Sequence, residues 1–171
     1  MSTRPLQFLL LAFPAILLAA CGSDSTLEEE VETLVEEAPD PQKVFLEENA
    51  QNEDIIVRPS GLQIRIIKQG DGQVPTMASM VTVNYHGTLI DGTVFDSTRD
   101  TGQPFSFTLD AVIPGWREAI TLMRVGSIYQ VFLPSELAYG AVGAGELIQP
   151  GDTLIFEVEL LAVTNPLNGE E

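Results

Sequence analysis

The sequence predicts an α+β domain in which a twisted antiparallel β-sheet of five to six strands wraps around one short α-helix, preceded by an acidic tether of helical or disordered character. Between residues 61 and 163, short segments that alternate apolar and polar residues are separated by turn-forming sequences, as in half-buried strands. In their midst, residues 114–123 carry apolar side chains at helical spacing. Strands gathered around a lone helix are typical of the α+β class.

Three alternating segments precede the predicted helix. The first covers residues 62–66 and ends at Gly70-Asp71-Gly72, and the second covers residues 81–86. Asp91-Gly92 then predicts a tight hairpin turn in which both residues take positive φ. Residues 105–109 alternate again and predict a third strand.

The helix and the last strands follow. Pro114 and Gly115 open the helix, since proline is favoured in the first turn, and Gly126 closes it. Its apolar face consists of Trp116, Ile120 and Met123. Strands are predicted at residues 128–133 and 153–163, with a loop over residues 134–152 between them.

Composition excludes several classes of function. The chain has 171 residues, which is enough for one domain plus a segment at one end, and 44% of them are hydrophobic. Its 8 Lys and Arg against 25 Asp and Glu give a formal net charge of -17, which repels phosphate backbones, so we predict no nucleic-acid partner. One cysteine and one histidine exclude an internal disulfide and a four-ligand structural zinc site; no metal or cofactor is predicted.

Residues 1–20 are predicted to be a signal peptide. Arg4 supplies a positive charge, and residues 6–18 form an apolar run too short for a comfortable membrane span. The following Ala19-Ala20-Cys21 resembles the bacterial lipobox, which implies cleavage before Cys21 and a lipid on its sulfur. Gly22 resembles the outer-membrane sorting pattern, so we expect a lipid-anchored protein of the bacterial envelope that faces the periplasm. The alternatives are a secreted protein with a chance cysteine and an uncleaved anchor.

Residues 21–54 are predicted to be the acidic tether, residues 55–165 the folded domain and residues 166–171 a C-terminal tail. Four apolar residues of the tether fall at helical spacing; they are Leu27, Val31, Leu34 and Val35. They predict a short helix, which is either solvated and frayed or a dimerisation surface. A second helical stretch covers residues 42–52.

Six motifs of the domain, in order and at matching spacing, resemble the family of FKBP-type peptidyl-prolyl cis-trans isomerases. They are Val83-Asn84-Tyr85-His86-Gly87, DGTVFDS over residues 91–97, Pro104-Phe105, VIPGW over residues 112–116, Ala138-Tyr139-Gly140, and LIFEVELL over residues 154–161. Residues 45–50 resemble the segment that leads into the catalytic domain in the bacterial Mip and FkpA branch of this family. The long dimerising arms of that branch are much shorter here, so we expect a monomer.

The resemblance implies a hydrophobic pocket between the sheet and the helix. It assigns the floor to Trp116, the aromatic walls to Phe95, Phe105 and Phe156, and the rim to Tyr139. The residues it assigns to catalysis are Tyr85, Phe95, Asp96, Trp116, Tyr139 and Phe156. The residues it assigns to substrate binding are Phe105, Val112, Ile113, Leu147 and Ile148. Taken one at a time, the aromatic residues have an alternative interpretation as core side chains.

The implied activity is isomerisation of X-Pro bonds in proline-containing polypeptides, which would assist the folding of envelope proteins; macrolides are candidate inhibitors. The Tyr139 hydroxyl and the Ile113 N–H are expected to hold the substrate. Asp96 is expected to orient the Tyr85 hydroxyl or to lie near the twisting carbonyl, and its alternative is a turn-forming carboxylate. His86 is out of phase with Tyr85, so we expect it to face solvent. The competing hypotheses are an FKBP-fold chaperone or binding module with little turnover and a purely structural lipoprotein.

Three positions depart from the family pattern. Thr101 stands where many relatives have an arginine, Ala144 replaces a loop histidine, and Gln149 stands where a proline often precedes Pro150. We expect these residues to lie at the pocket rim and to alter substrate preference or macrolide affinity more than basic activity.

Overall fold

The computed structural model describes residues 39–165. The signal peptide, Cys21, the first tether helix and the tail from residue 166 lie outside the described residues. The α-helices are α1 (Pro41–Asn49), α2 (Thr98–Thr101) and α3 (Pro114–Thr121). The strands are β1 (Ile55–Val57), β2 (Gln63–Lys68), β3 (Met80–Thr88), β4 (Val94–Ser97), β5 (Phe105–Thr108), β6 (Ile128–Leu133) and β7 (Leu154–Thr164). No helix between residues 39 and 165 is long and apolar enough to cross a membrane.

The strands form one antiparallel sheet in the order β1-β2-β6-β7-β3-β4, and β5 also pairs with β3. Strand β4 pairs with residues 86–88 of β3 and β5 with residues 80–83, so the two short strands share one edge of β3. The sheet therefore has seven strands but is six positions wide. The predicted α+β fold class is confirmed.

The core lies between α3 and one face of the sheet, which we call the inner face. Trp116, Ile120 and Met123 are buried there, as the helical spacing predicts. The sheet contributes every second residue of its central strands, for example Val81 and Val83 of β3, because successive side chains of a strand point to opposite faces. This phase brings the predicted pocket residues of β3 and β7 to the same face as α3.

Helix α1 packs on the outer face of the sheet. Its Phe45 ring lies 6.1 Å from the ring of Phe132 on β6. Val131 and Leu133, on either side of Phe132, point into the main core, so Phe132 points to the outer face. Phe132 is nevertheless only 4% exposed, because α1 covers it. The Asn49 amide donates to Gln63 Oε1 over 2.7 Å, and Gln63 Nε2 donates to the Leu46 carbonyl over 2.8 Å. The sequence alone places α1 in the tether; these contacts instead attach it to the domain.

Strand β2 departs from the simple alternation of residues 62–66. Gln63 is buried because α1 covers it, and Ile66 is 42% exposed. The pairing of β2 with β6 shifts register between Ile66 and Lys68, so the inward phase of the strand is lost there.

The hairpin between β3 and β4 also differs from the prediction. The Gly92 N–H donates to the Leu89 carbonyl, and the Leu89 N–H donates to the Thr93 carbonyl, which makes a three-residue loop centred on Ile90 and Asp91. Gly92 then takes φ of 86°, as the residue after such a turn requires. A two-residue turn on Asp91-Gly92 is therefore wrong, although the hairpin itself is present.

Helix α2 has no counterpart in the prediction of one helix. The Ser97 hydroxyl accepts from the Arg99 N–H at its start, and Gly102 closes it in the left-handed conformation. Its four residues are too few to show helical periodicity, and only the two caps mark it in the sequence.

Candidate active site

A cavity of about 530 Å³ opens between α3 and the inner face of the sheet, within the size range of small-ligand pockets. All eleven residues that the sequence predicts for the pocket line it: Tyr85, Phe95, Asp96, Phe105, Val112, Ile113, Trp116, Tyr139, Leu147, Ile148 and Phe156. Four further residues also line it: Ala111, Ala144, Gly145 and Glu146, of which Ala144 was expected at the rim. The individual roles assigned to the eleven remain predictions.

Trp116 lies at the floor and is 5% exposed. Its ring packs edge-on against Tyr85 at 5.1 Å and against Phe156 at 5.0 Å, the arrangement that the ring quadrupoles favour. The start of α3 lies so close to β6 that a Cβ on Gly115 would lie 2.3 Å from Leu133 Cδ2, and the glycine makes this close approach possible. The Trp116 indole N–H is buried and has no hydrogen-bond partner among residues 39–165.

One wall of the cavity is built on a glycine that lies in one of the sequence motifs but has no role predicted from them. Phe95 packs edge-on against Phe156 at 5.4 Å, and Gly87 of β3 lies beneath both rings. A Cβ on Gly87 would lie 2.7 Å from Phe95 Cζ and 2.9 Å from Phe156 Cε1, so only glycine leaves room for this wall. A glycine inside an otherwise regular strand is the signal that could have found it.

A polar pair faces the cavity beside the floor. The Tyr85 hydroxyl donates to Asp96 Oδ2 over 2.5 Å, the contact predicted for these two residues. Burial, and then the hydrogen bond to Asp96, raises the pKa of Tyr85 well above its usual range. Tyr85 is therefore protonated and a donor at neutral pH, and Asp96 lies in strand β4 and not in a turn.

Residues 143–149, which we call the flap, form the opposite lip of the cavity. Two backbone hydrogen bonds close it, from the Ala144 N–H to the Ile148 carbonyl at 2.9 Å and from the Ile148 N–H to the Ala144 carbonyl at 3.2 Å. Gly143 allows this closure, since it has φ of 71° and a Cβ there would lie 2.4 Å from the Ile148 carbonyl oxygen. Leu147 is half-exposed at the mouth, as are Tyr139 and Phe105.

The three positions that depart from the family pattern lie in different places. Ala144 lines the cavity, as expected for the rim. Thr101 does not line it: its hydroxyl caps the end of α2 by donating to the Thr98 carbonyl, so the expected rim position is wrong. Gln149 is at the base of the flap, where its N–H donates to Asp152, and it does not line the cavity either.

His86 is half-buried and its Nδ1 lies 3.0 Å from the Ser97 hydroxyl, away from the cavity lining. No group of three or more His, Cys, Asp or Glu between residues 39 and 165 has the geometry of a metal site. Among the described residues, the cavity lining contains two carboxylates, Asp96 and Glu146, and no lysine, arginine or histidine. The described lining pairs no nucleophile with a base. Its apolar side chains and few polar groups suit a small apolar ring and a few hydrogen bonds.

Known proteins match the chain over the domain that carries this cavity. The family model for the FKBP-type peptidyl-prolyl cis-trans isomerases matches residues 72–161. The chain is 54% identical over 119 residues to the FKBP-type 22 kDa peptidyl-prolyl cis-trans isomerase of Escherichia coli K12, covering 70% of this chain and 58% of that protein. It is 51% identical over 119 residues to the outer membrane protein MIP of Legionella longbeachae, covering 70% and 51%.

Among solved structures, the crystal structure of FkpA from Escherichia coli matches with a TM-score of 0.70 and 40% sequence identity, covering 72% of this chain and 58% of that one. The chain thus spans about half the length of the curated relatives it matches, 58% of one and 51% of the other.

Proposed function

The chain belongs to the family of FKBP-type peptidyl-prolyl cis-trans isomerases, and we propose that it catalyses the cis-trans isomerisation of X-Pro bonds in polypeptides. The observation that carries this proposal is the aromatic cavity: Trp116 as floor, Phe95 and Phe156 as one wall, and space of about 530 Å³ above them. A proline ring is small and apolar and fits this space.

The cavity suits the physical demand of the reaction. Rotation about an X-Pro bond is slow because amide resonance sets a barrier of roughly 18–20 kcal/mol. The planar amide is more polar than the twisted one, since twisting removes the resonance that places charge on oxygen. An apolar lining therefore destabilises the planar form relative to the twisted form. Each ~1.4 kcal/mol of that difference accelerates rotation tenfold.

Polar groups at the edge of the cavity are suited to hold the substrate chain. The Ile113 N–H has no acceptor among residues 39–165 and lies beside the cavity, so it is available to a substrate carbonyl. The Tyr139 hydroxyl is available at the half-exposed rim. Asp96 fixes the Tyr85 hydroxyl, which keeps a protonated donor next to the Trp116 floor.

A protease-coupled assay on short X-Pro peptides tests the proposal. We expect purified protein at micromolar concentration to accelerate cis-to-trans conversion. Phe95→Ala and Asp96→Val should lower turnover while circular dichroism shows an intact fold. A correctly folded wild-type protein that gives no rate enhancement would refute the proposed isomerase activity.

In that event the same cavity would serve the second candidate, a binding module or chaperone with little turnover. Trp116 is the one tryptophan of the chain, so its fluorescence reports occupancy of the cavity directly. A macrolide or proline peptide that changes this fluorescence without any catalysis would support the binding module.

We also propose that the protein is a monomer of the bacterial envelope, anchored by lipid on Cys21, with the domain in the periplasm at the outer membrane and envelope proteins as its substrates. The lipobox-like Leu18-Ala19-Ala20-Cys21 and the outer membrane protein MIP among its relatives support this. Labelling of cells with radioactive palmitate should mark the wild type and not Cys21→Ala, which should leave the membrane fraction. Equal labelling of both would contradict the anchor.

A further inference from the structure

Helix α1 and the flap are joined by a polar chain that runs from Gln42 through Asp152 to Gln149. We propose that α1 positions the flap through this chain and so sets how well the cavity holds its substrate. Gln42 and Asp152 then act as positioning residues, since neither lines the cavity. The kinetic part of this inference rests on the proposed isomerase activity, and the structural part does not.

Gln42 uses both ends of its side-chain amide. Its Oε1 accepts from the Thr153 N–H over 2.9 Å, and its Nε2 donates to Asp152 Oδ1 over 3.2 Å. Thr153 is 1% exposed, so in the folded protein its N–H depends on Gln42 for a partner. Gln42 thereby fixes α1 to the two residues that precede β7.

Asp152 passes this contact to the flap. Its second oxygen, Oδ2, accepts from the Gln149 N–H over 2.7 Å, and its own N–H donates to the Gln149 carbonyl over 3.2 Å. The Gln149 side chain in turn donates to the Glu146 carbonyl over 3.2 Å inside the flap. Each carboxylate oxygen of Asp152 therefore serves one partner, one in α1 and one at the flap base.

The flap depends on these contacts because it has few others. The Ala144–Ile148 pair is its only backbone ladder among the described residues, and Glu146 and Leu147 at its tip are exposed. Short segments of this kind open locally at little cost in free energy, whereas β7 opens only with the fold. Loosening Asp152 is expected to raise the open population of the flap and to weaken substrate binding, with little change in the rotation step at the Trp116 floor.

A reciprocal exchange of groups tests the chain of contacts. Gln42→Glu sets a second carboxylate against Asp152, and Asp152→Asn leaves one acceptor oxygen for two donors, Gln42 Nε2 and the Gln149 N–H, so each single variant breaks one link of the chain. In the double variant Gln42→Glu/Asp152→Asn the direction of the bond reverses: the new amide N–H₂ at position 152 donates to the new carboxylate at position 42, and the amide oxygen still accepts from Gln149. Gln51→Glu, on an exposed residue just beyond α1, is the charge-matched control.

Two measurements are made on each variant of the full chain. The first is amide hydrogen exchange at Ala144, Ile148 and Gln149, with Val158 of β7 as internal reference. In the single variants we expect flap exchange to be about five- to tenfold faster, the factor that one lost hydrogen bond corresponds to, with Val158 unchanged. The second is kcat and KM on a short Leu-Pro peptide, where KM should rise and kcat should stay within about twofold.

The double variant should return both readouts to wild-type values, and Gln51→Glu should change neither. Wild-type flap exchange in both single variants would overturn the inference, as would equal acceleration at Val158, which would reduce Gln42 to a contributor to global stability. A wild-type protein with no isomerase activity would refute the proposed function, yet the exchange data would still decide whether α1 positions the flap.

Discussion

The floor and the flap of the cavity are built by opposite means. The floor is the ring of Trp116 from α3, which packs edge-on against Tyr85 of β3 and Phe156 of β7, and the three rings lie within 6.3 Å of one another. The flap is a run of seven residues. Its shape depends on the Ala144–Ile148 backbone pair, on the left-handed conformation of Gly143 and on the contact between Gln149 and Asp152. The first is fixed by packing of the core and the second by a few polar contacts.

The difference separates two tasks of a binding cavity. Residues in the core resist displacement, because close packing transmits any change of volume to the whole fold. Substitutions in the flap can change affinity and preference with little effect on the free energy of unfolding, since few contacts of the fold depend on these residues. We therefore expect substitutions at the floor to lower stability and turnover together, and substitutions at the flap to alter substrate binding and preference with little loss of stability.

Trp116→Ala should have the largest effect. Truncating a buried aromatic residue lowers the free energy of unfolding by about 3–5 kcal/mol, and here it also removes the cavity floor, so kcat/KM should fall more than about tenfold. Urea denaturation followed by circular dichroism and the peptide assay measure the two quantities. Tyr129→Ala is the control, because it truncates a buried aromatic ring that does not line the cavity: it should cost stability and leave kcat/KM of the folded protein unchanged. A near wild-type kcat/KM in Trp116→Ala would show that the floor is not the site of reaction.

Gly87→Ala should have the next largest effect. The new methyl group would lie within 2.9 Å of both Phe95 and Phe156, so these rings must move, at a cost of about 1–3 kcal/mol, and kcat/KM should fall about tenfold. Gly72→Ala is the matched control, since its Cβ would lie 2.7 Å from Val125 Cβ, outside the cavity lining. It should lower stability by a similar amount without lowering kcat/KM. Equal activity losses in the two variants would mean that the wall has no special role.

The Tyr85–Asp96 pair should show itself in alkaline titration. Because the pKa of Tyr85 is raised in the folded state, its protonated form stabilises the fold fully below the ordinary tyrosine pKa of about 10. That contribution is lost as the pH rises through the folded-state pKa. Ultraviolet difference titration of wild type against Tyr85→Phe should assign the late phenolate step to Tyr85. Asp96→Asn should move this step to lower pH; a step that does not move would deny that the carboxylate helps to hold the proton.

How far the sequence predicts this molecule follows the same division. The core face of α3 and the alternation of β3 and β7 are local periodic patterns, and these patterns suffice to place Trp116, Tyr85 and Phe156 on one side of the sheet. The attachment of α1 is not a local pattern. It follows from Phe132, an apolar residue on the outer face of β6, and from polar contacts of residues more than a hundred positions apart, such as Gln42 and Asp152. The role of Gly87 under the wall likewise cannot be predicted from a local pattern, because it depends on the contact between Phe95 and Phe156, which come from different strands.

Glu146→Gln should have the smallest effect and the most selective one. Glu146 lies at the flap tip and lines the cavity, Asp96 already accepts from Tyr85, and no basic side chain of the described residues lines the cavity to pair with Glu146. A lysine next to the substrate proline would meet this carboxylate in a solvated setting, where a charge pair at 4 Å gains about 1 kcal/mol. We therefore expect Glu146→Gln to lower the ratio of kcat/KM for Lys-Pro over Leu-Pro peptides by about two- to fivefold, without loss of stability. The shift should disappear near 1 M salt, where the Debye length is about 3 Å.

Glu136→Gln, also exposed and outside the cavity lining, should leave the ratio unchanged. If both variants lower it alike, the preference reflects the net charge of the chain, and the flap would then not select substrates by a local contact.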